Sequence, residues 1–129
     1  MAHAFHADDI DVDADEVRAA FERGEIQLID VREPYEYEAG HIAGVKHIEL
    51  EHLAGRATEI DSERAVVFHC RVGRRSALAT EAFRASGYKA YNMAGGIQAW
   101  AEEGLPLEPE GGHVADHGPG LSGTTQTAG

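Results

Sequence analysis

Short apolar runs alternate with segments of helical period along almost the whole chain, and this alternation limits the fold more than any other feature. Runs of about five residues suit strands buried between layers, and the spacers between them are long enough to cross over to a parallel neighbour. The sequence therefore predicts an α/β fold. A short strand at Ile10 to Val12 precedes Asp13, which stands three residues before Glu16 as in a capping box. Val17, Ala20 and Phe21 then share one helical face, which ends at Gly24. Ile26 to Val31 reads as a strand stopped by Arg32-Glu33-Pro34, with Pro34 suited to the first turn of a brief helix through Ala39. Val45 to Ile48, Ala65 to His69 and Ala90 to Met93 read as further strands, and Leu50 to Thr58 as a weak helix. Leu78, Ala79, Ala82 and Phe83 define a helix that Gly87 closes in the left-handed region. Gly95-Gly96 opens a last helix, with Ile97, Trp100 and Ala101 facing inward.

A chain of 129 residues with 43% hydrophobic content builds one core. The folded domain is expected over residues 9–107, after a flexible N-terminus at 1–8. Glu108 to Gly129 holds six glycines, two prolines and no aromatic residue, so 108–129 is expected to be a disordered tail. Met1 to Glu16 carries six acidic residues and no long apolar run, which predicts neither a secretory signal nor a membrane span. The lone cysteine fits a reducing compartment, and a cytoplasmic protein is expected. A net charge of -12 argues against binding to nucleic acid or anionic membrane. His113 and His117 have helix-like spacing but lie in the glycine-rich stretch without a cysteine nearby, so no metal site is expected.

The chemistry concentrates in Cys70-Arg71-Val72-Gly73-Arg74-Arg75-Ser76, where three of eleven basic residues fall within six positions that contain no acid. A loop leaving a parallel strand and entering a helix turns backbone N–H groups inward and adds the positive end of the helix dipole. A free cysteine with a pKa of ~8.5 is only ~3% thiolate at pH 7, and lowering it by about two units makes the thiolate the major form. The loop thus suits Cys70 to be a nucleophile. Gly73 permits positive φ, while Arg71 and Arg74 suit an oxyanionic substrate such as thiosulfate. Arg75 either joins them or anchors the loop to an acidic partner. Since the chain has no second cysteine, chemistry at this thiol passes to another molecule.

Four segments in order resemble landmarks of the rhodanese family, and the resemblance extends from about Ile10 to Leu107. They are Asp30-Val31-Arg32-Glu33 with Glu36, Gly40-His41-Ile42-Ala43-Gly44-Val45, Cys70-Arg71-Val72-Gly73-Arg74-Arg75-Ser76, and Gly95-Gly96-Ile97-Gln98-Ala99-Trp100. The resemblance implies a central parallel sheet of about five strands flanked by helices, with the catalytic cysteine at the base of a bowl. It also implies a ping-pong cycle. Cys70 takes sulfane sulfur from thiosulfate or a polysulfide, then passes it as a persulfide to cyanide, a thiol or a sulfur-carrier protein. No cofactor is implied. The substrate-binding set is Arg71, Val72, Gly73, Arg74 and Arg75. Asp30, Arg32 and His41 support the site, the first two through salt bridges and His41 through a bond to backbone. His69 adjoins Cys70, but neighbouring residues on a strand face opposite ways, which disfavours a Cys/His dyad.

Two other readings compete. Phosphatases and arsenate reductases related to this fold use a loop one residue longer, with an arginine six positions after the cysteine; Ser76 occupies that position here. A non-catalytic binding or regulatory module would keep the fold without turnover, but such modules commonly lack the nucleophile. Glu49 and His69 also depart from the family pattern, the first where a proline often closes a strand and the second where an aromatic or aliphatic residue is usual.

Overall fold

The computed structural model describes residues 5–6 and 8–115. Five parallel strands, β1 (Asp11–Val12), β2 (Gln27–Asp30), β3 (Lys46–His47), β4 (Val66–His69) and β5 (Ala90–Met93), form one sheet in the order β1-β5-β4-β2-β3. The helices are α1 (Ala14–Glu22), α2 (Pro34–Ala39), α3 (Arg74–Ala85) and α4 (Gly96–Glu102). In β4 the alternation of side chains sends Val66 and Phe68 into one apolar layer and Val67 into the other. Val66, Phe68 and Cys70 share a layer with Ala79 and Phe83 of α3, whereas Val67 packs with Val17 of α1 and with Ile97 and Trp100 of α4. The central strand thus reads as an almost unbroken apolar run because both its faces are covered.

The local signals in the sequence explain the helix ends. Asp13 and Glu16 form the capping box of α1, and Glu33 and Glu36 form a second one at α2. Gly87 closes α3 at φ 92°. The segment expected to be a weak helix differs: Leu50–His52 and Ala54–Glu59 are two 3-10 pieces, with Arg56 at non-helical angles. Gly55 and the shortness of the stretch leave too little propensity to sustain α-helix there.

Contacts among the described residues extend past residues 9–107 on both sides. Phe5 packs on Tyr91 with ring centroids 5.0 Å apart, inside the segment expected to be flexible. At the other end, Glu108 exchanges two backbone hydrogen bonds with His41, at 2.8 and 2.7 Å, and His113 N–H donates to the Ala39 carbonyl at 2.9 Å. The first residues assigned to the tail therefore dock on the loop after α2. Residues 116–129 of that tail, with His117, lie outside the described residues. Among the described residues, no helix is long and apolar enough to cross a membrane.

Candidate active site

Cys70 follows the last residue of β4, so its position is set by the centre of the sheet, and it is fully buried. The chain then turns through Arg71 to Gly73 into α3, with Gly73 at φ 105°, a conformation that glycine adopts without strain. The turn brings three donors to the sulfur. Gly73 N–H lies 3.1 Å from Sγ, Ser76 N–H 3.5 Å and the Ser76 hydroxyl 3.4 Å. Burial pushes the thiol pKa up, but the Ser76 hydroxyl and amide, the Gly73 amide and the charge of Arg75 outweigh it and hold Cys70 below the ordinary thiol value.

The inward turn of the amides has a counterpart in the outward turn of the carbonyls. Cys70 C=O accepts from Ile97 N–H at 2.8 Å and Arg71 C=O from Gln98 N–H at 2.9 Å, both in the first turn of α4. These are amides that a helix N-terminus leaves unpaired. Gly96 makes the approach feasible, because a Cβ there would run into those same two carbonyl oxygens. The Gly95-Gly96-Ile97 segment thereby holds the loop from behind and frees its N–H groups for the sulfur.

The predicted arginines separate in the structure. Arg74 opens α3 and is exposed, while Arg71 and Val72 are half-buried beside the cysteine. Arg75, for which the sequence left substrate binding and anchorage to an acidic partner both open, grips Glu36 with Nη1 to Oε1 at 2.7 Å and Nη2 to Oε2 at 2.9 Å. Glu36 is buried and needs this countercharge, so the fork of Arg75 anchors α3 to α2. Burial would raise the Glu36 pKa, but the bonds from Arg75 and from Glu33 N–H keep it low.

Asp30, Arg32 and His41 sit in the supporting positions. Arg32 and Asp30 form a fully buried pair, with Nη2 to Oδ2 at 2.8 Å and Nε to Oδ1 at 3.0 Å, and Arg32 Nη2 also donates to the Gly40 carbonyl at 2.8 Å. Burial opposes the Asp30 charge, but His69 and the bonds and charge of Arg32 hold its pKa below the usual carboxylate value. His41 Nδ1–H donates to the Tyr37 carbonyl at 2.8 Å, and its ring stacks on Tyr37 at 3.8 Å. His69 lies toward Asp30, with Nε2 3.9 Å from Oδ2, and burial lowers its pKa against the pull of the Asp30 carboxylate. Among the described residues, no group of His, Cys, Asp or Glu is placed to hold a metal ion.

Sequence reasoning missed three contributors. Ser76 was counted only as the position lacking a phosphatase arginine, Glu36 only as a landmark, and Asn92 was not singled out. The pattern that could have shown Glu36 is its place at N3 of a capping box that opens the helix after β2.

The model of the rhodanese-like domain matches residues 13–103 of this chain. The chain belongs to the rhodanese-like family. A protein of Allochromatium vinosum named sulfurtransferase is 38% identical over 89 residues, which cover 67% of this chain and 83% of that one. YqhL of Bacillus subtilis, described as an uncharacterized protein, is 40% identical over 87 residues, covering 67% and 68% respectively. Among solved structures, a rhodanese-related protein from Thermoplasma volcanium superposes with a TM-score of 0.70 at 30% identity, covering 75% of this chain and 95% of that one. The rhodanese landmarks quoted from the sequence fall within the matched span.

Proposed function

We propose that this rhodanese-like domain is a cytoplasmic sulfurtransferase in which Cys70 carries sulfur as a persulfide. The observation that carries the reading is the convergence of three donors on a buried sulfur whose pKa is held down. In the first half-reaction the Cys70 thiolate attacks the outer sulfur of thiosulfate. The new S–S bond forms as the old one breaks, and sulfite leaves with the electron pair. In the second, cyanide, a thiol or a sulfur-carrier protein attacks the outer sulfur of the persulfide, and Cys70 departs as thiolate. The amides that stabilise the thiolate also lower its cost as a leaving group.

Arg71 and Arg74 are the residues assigned to the donor's sulfonate, since both lie in the segment that follows the cysteine and Arg74 is exposed. Arg75 acts through its field and its hold on the loop. Because Cys70 has no exposed surface, the half-buried Arg71 and Val72 side chains give way as the donor sulfur enters. Phosphatase chemistry is disfavoured: position 76 is a serine, and both terminal nitrogens of Arg75 are occupied by Glu36.

Turnover of thiosulfate with cyanide, followed as thiocyanate, tests the reading, with a phosphate ester assayed in parallel. Wild type should form thiocyanate and Cys70→Ser none, while their melting temperatures stay within a few degrees. Turnover retained in Cys70→Ser, or phosphate release in place of thiocyanate, would sink it.

A further inference from the structure

Asn92 on β5 is buried, and its side chain joins three parts of the molecule. Nδ2 donates to Asp11 Oδ1 of β1 at 3.0 Å and to the Gly73 carbonyl at 3.3 Å, while Oδ1 accepts from the Ser76 hydroxyl at 2.5 Å. The same Ser76 oxygen lies 3.4 Å from Cys70 Sγ. A serine hydroxyl has one proton to give and two lone pairs to accept with. When Cys70 is a thiol, one direction satisfies the whole chain: S–H to Ser76, Ser76 O–H to Asn92, and the amide protons to Asp11 and Gly73. When Cys70 is a thiolate, the sulfur needs a donor, and rotation about the Ser76 Cβ–Oγ bond supplies one at the expense of the bond to Asn92.

We propose that Asn92 is a positioning residue of the sulfur-transfer centre: it holds the Ser76 hydroxyl beside Cys70 and competes with the sulfur for its single proton. Asn92 touches neither donor nor acceptor and acts through Ser76. The competition favours the thiol, because ionisation of Cys70 draws the proton out of a short bond and leaves two oxygens facing each other. The catalytic meaning of the inference rests on the sulfur-transfer reading, but its physical content does not.

The test is therefore made without any sulfur donor, by following the ultraviolet absorbance of the thiolate against pH in wild type, Asn92→Leu, Ser76→Ala and the double variant. Leucine fills the volume of asparagine without its polar atoms; Asn92→Ala is titrated alongside in case leucine prevents folding, as judged by circular dichroism. Asn92→Leu should lower the Cys70 midpoint by about one pH unit, roughly tenfold more thiolate on the acid side. Ser76→Ala should raise it, and with Ser76 gone the Asn92 substitution should add little. A midpoint unchanged or raised in the Asn92 variants, or an Asn92 effect that persists undiminished without Ser76, would overturn the proposal. If the shifts appear as expected but no variant transfers sulfur, the functional reading fails and the role of Asn92 stands.

Discussion

Two polar clusters are buried at the carboxyl ends of adjacent strands, and they are built in opposite ways. At β2, Asp30 and Arg32 bring a full negative and a full positive charge together, with the Gly40 carbonyl taking a further proton of the guanidinium. At β4, the amides of Gly73 and Ser76 and the Ser76 hydroxyl converge on a sulfur that has no formal charge until it ionises. The first cluster is neutralised in the resting protein and ties the chain together. The second lacks its anion, so it favours whatever process creates one. Glu36 keeps the two kinds apart: it takes both terminal nitrogens of Arg75, leaving only the field of that arginine to act on Cys70.

Breaking the closed cluster should cost stability first. Asp30→Ala strands the Arg32 guanidinium in the core, and a loss of about 3–5 kcal/mol is expected from thermal or urea unfolding. A loss under about 1 kcal/mol would mean that the pair is not what holds this end of the sheet. Gly96→Ala acts on the open cluster from behind, since the added methyl collides with the carbonyls of Cys70 and Arg71. Displacing the loop by such a margin should lower kcat/KM for sulfur transfer by about 100-fold, and unaltered kinetics would show that α4 does not set the loop.

Glu36→Gln should have an intermediate effect. It removes the countercharge of Arg75, so about 1–3 kcal/mol of stability should be lost in denaturant titration. Arg71→Ala should have the smallest structural effect. The KM for thiosulfate should rise several-fold while the melting temperature stays within about two degrees; the reverse pattern would make Arg71 a structural residue.

Acid distinguishes the two clusters as well. Both Asp30 and Cys70 have folded pKa values below their ordinary ones. Each therefore contributes stability that is fully present above its unfolded value and is lost as pH falls through its folded value. For Cys70 that window lies below the usual thiol range, and for Asp30 it lies below the usual carboxylate range. Activity should thus fall with acid well before the Asp30 pair opens.

The loop that forms the cradle stood out in the sequence because Cys70 to Ser76 is one contiguous segment placed between a strand and a helix, although the part of Ser76 in it did not. The five parallel strands were legible for a similar reason, each lying in or beside a short segment with its own apolar residues. What joins distant segments was not. Asn92 meets Ser76 and Asp11 only through the register of β1 on β5 and the packing of α3 on β5. Arg75 finds Glu36 across 39 positions of chain. The docking of residues 108–113 escaped notice because it uses backbone bonds, which leave no mark on a glycine-rich composition.

The central claim is that the open cradle makes Cys70 the site where sulfur is held. Intact mass of the reduced protein, taken after a brief exposure to thiosulfate, tests it most directly, with released sulfite measured in the same tube. The account predicts a gain of one sulfur atom per chain, matched by one sulfite and absent in Cys70→Ser. An unchanged mass with no sulfite, or the same gain in Cys70→Ser, would contradict it.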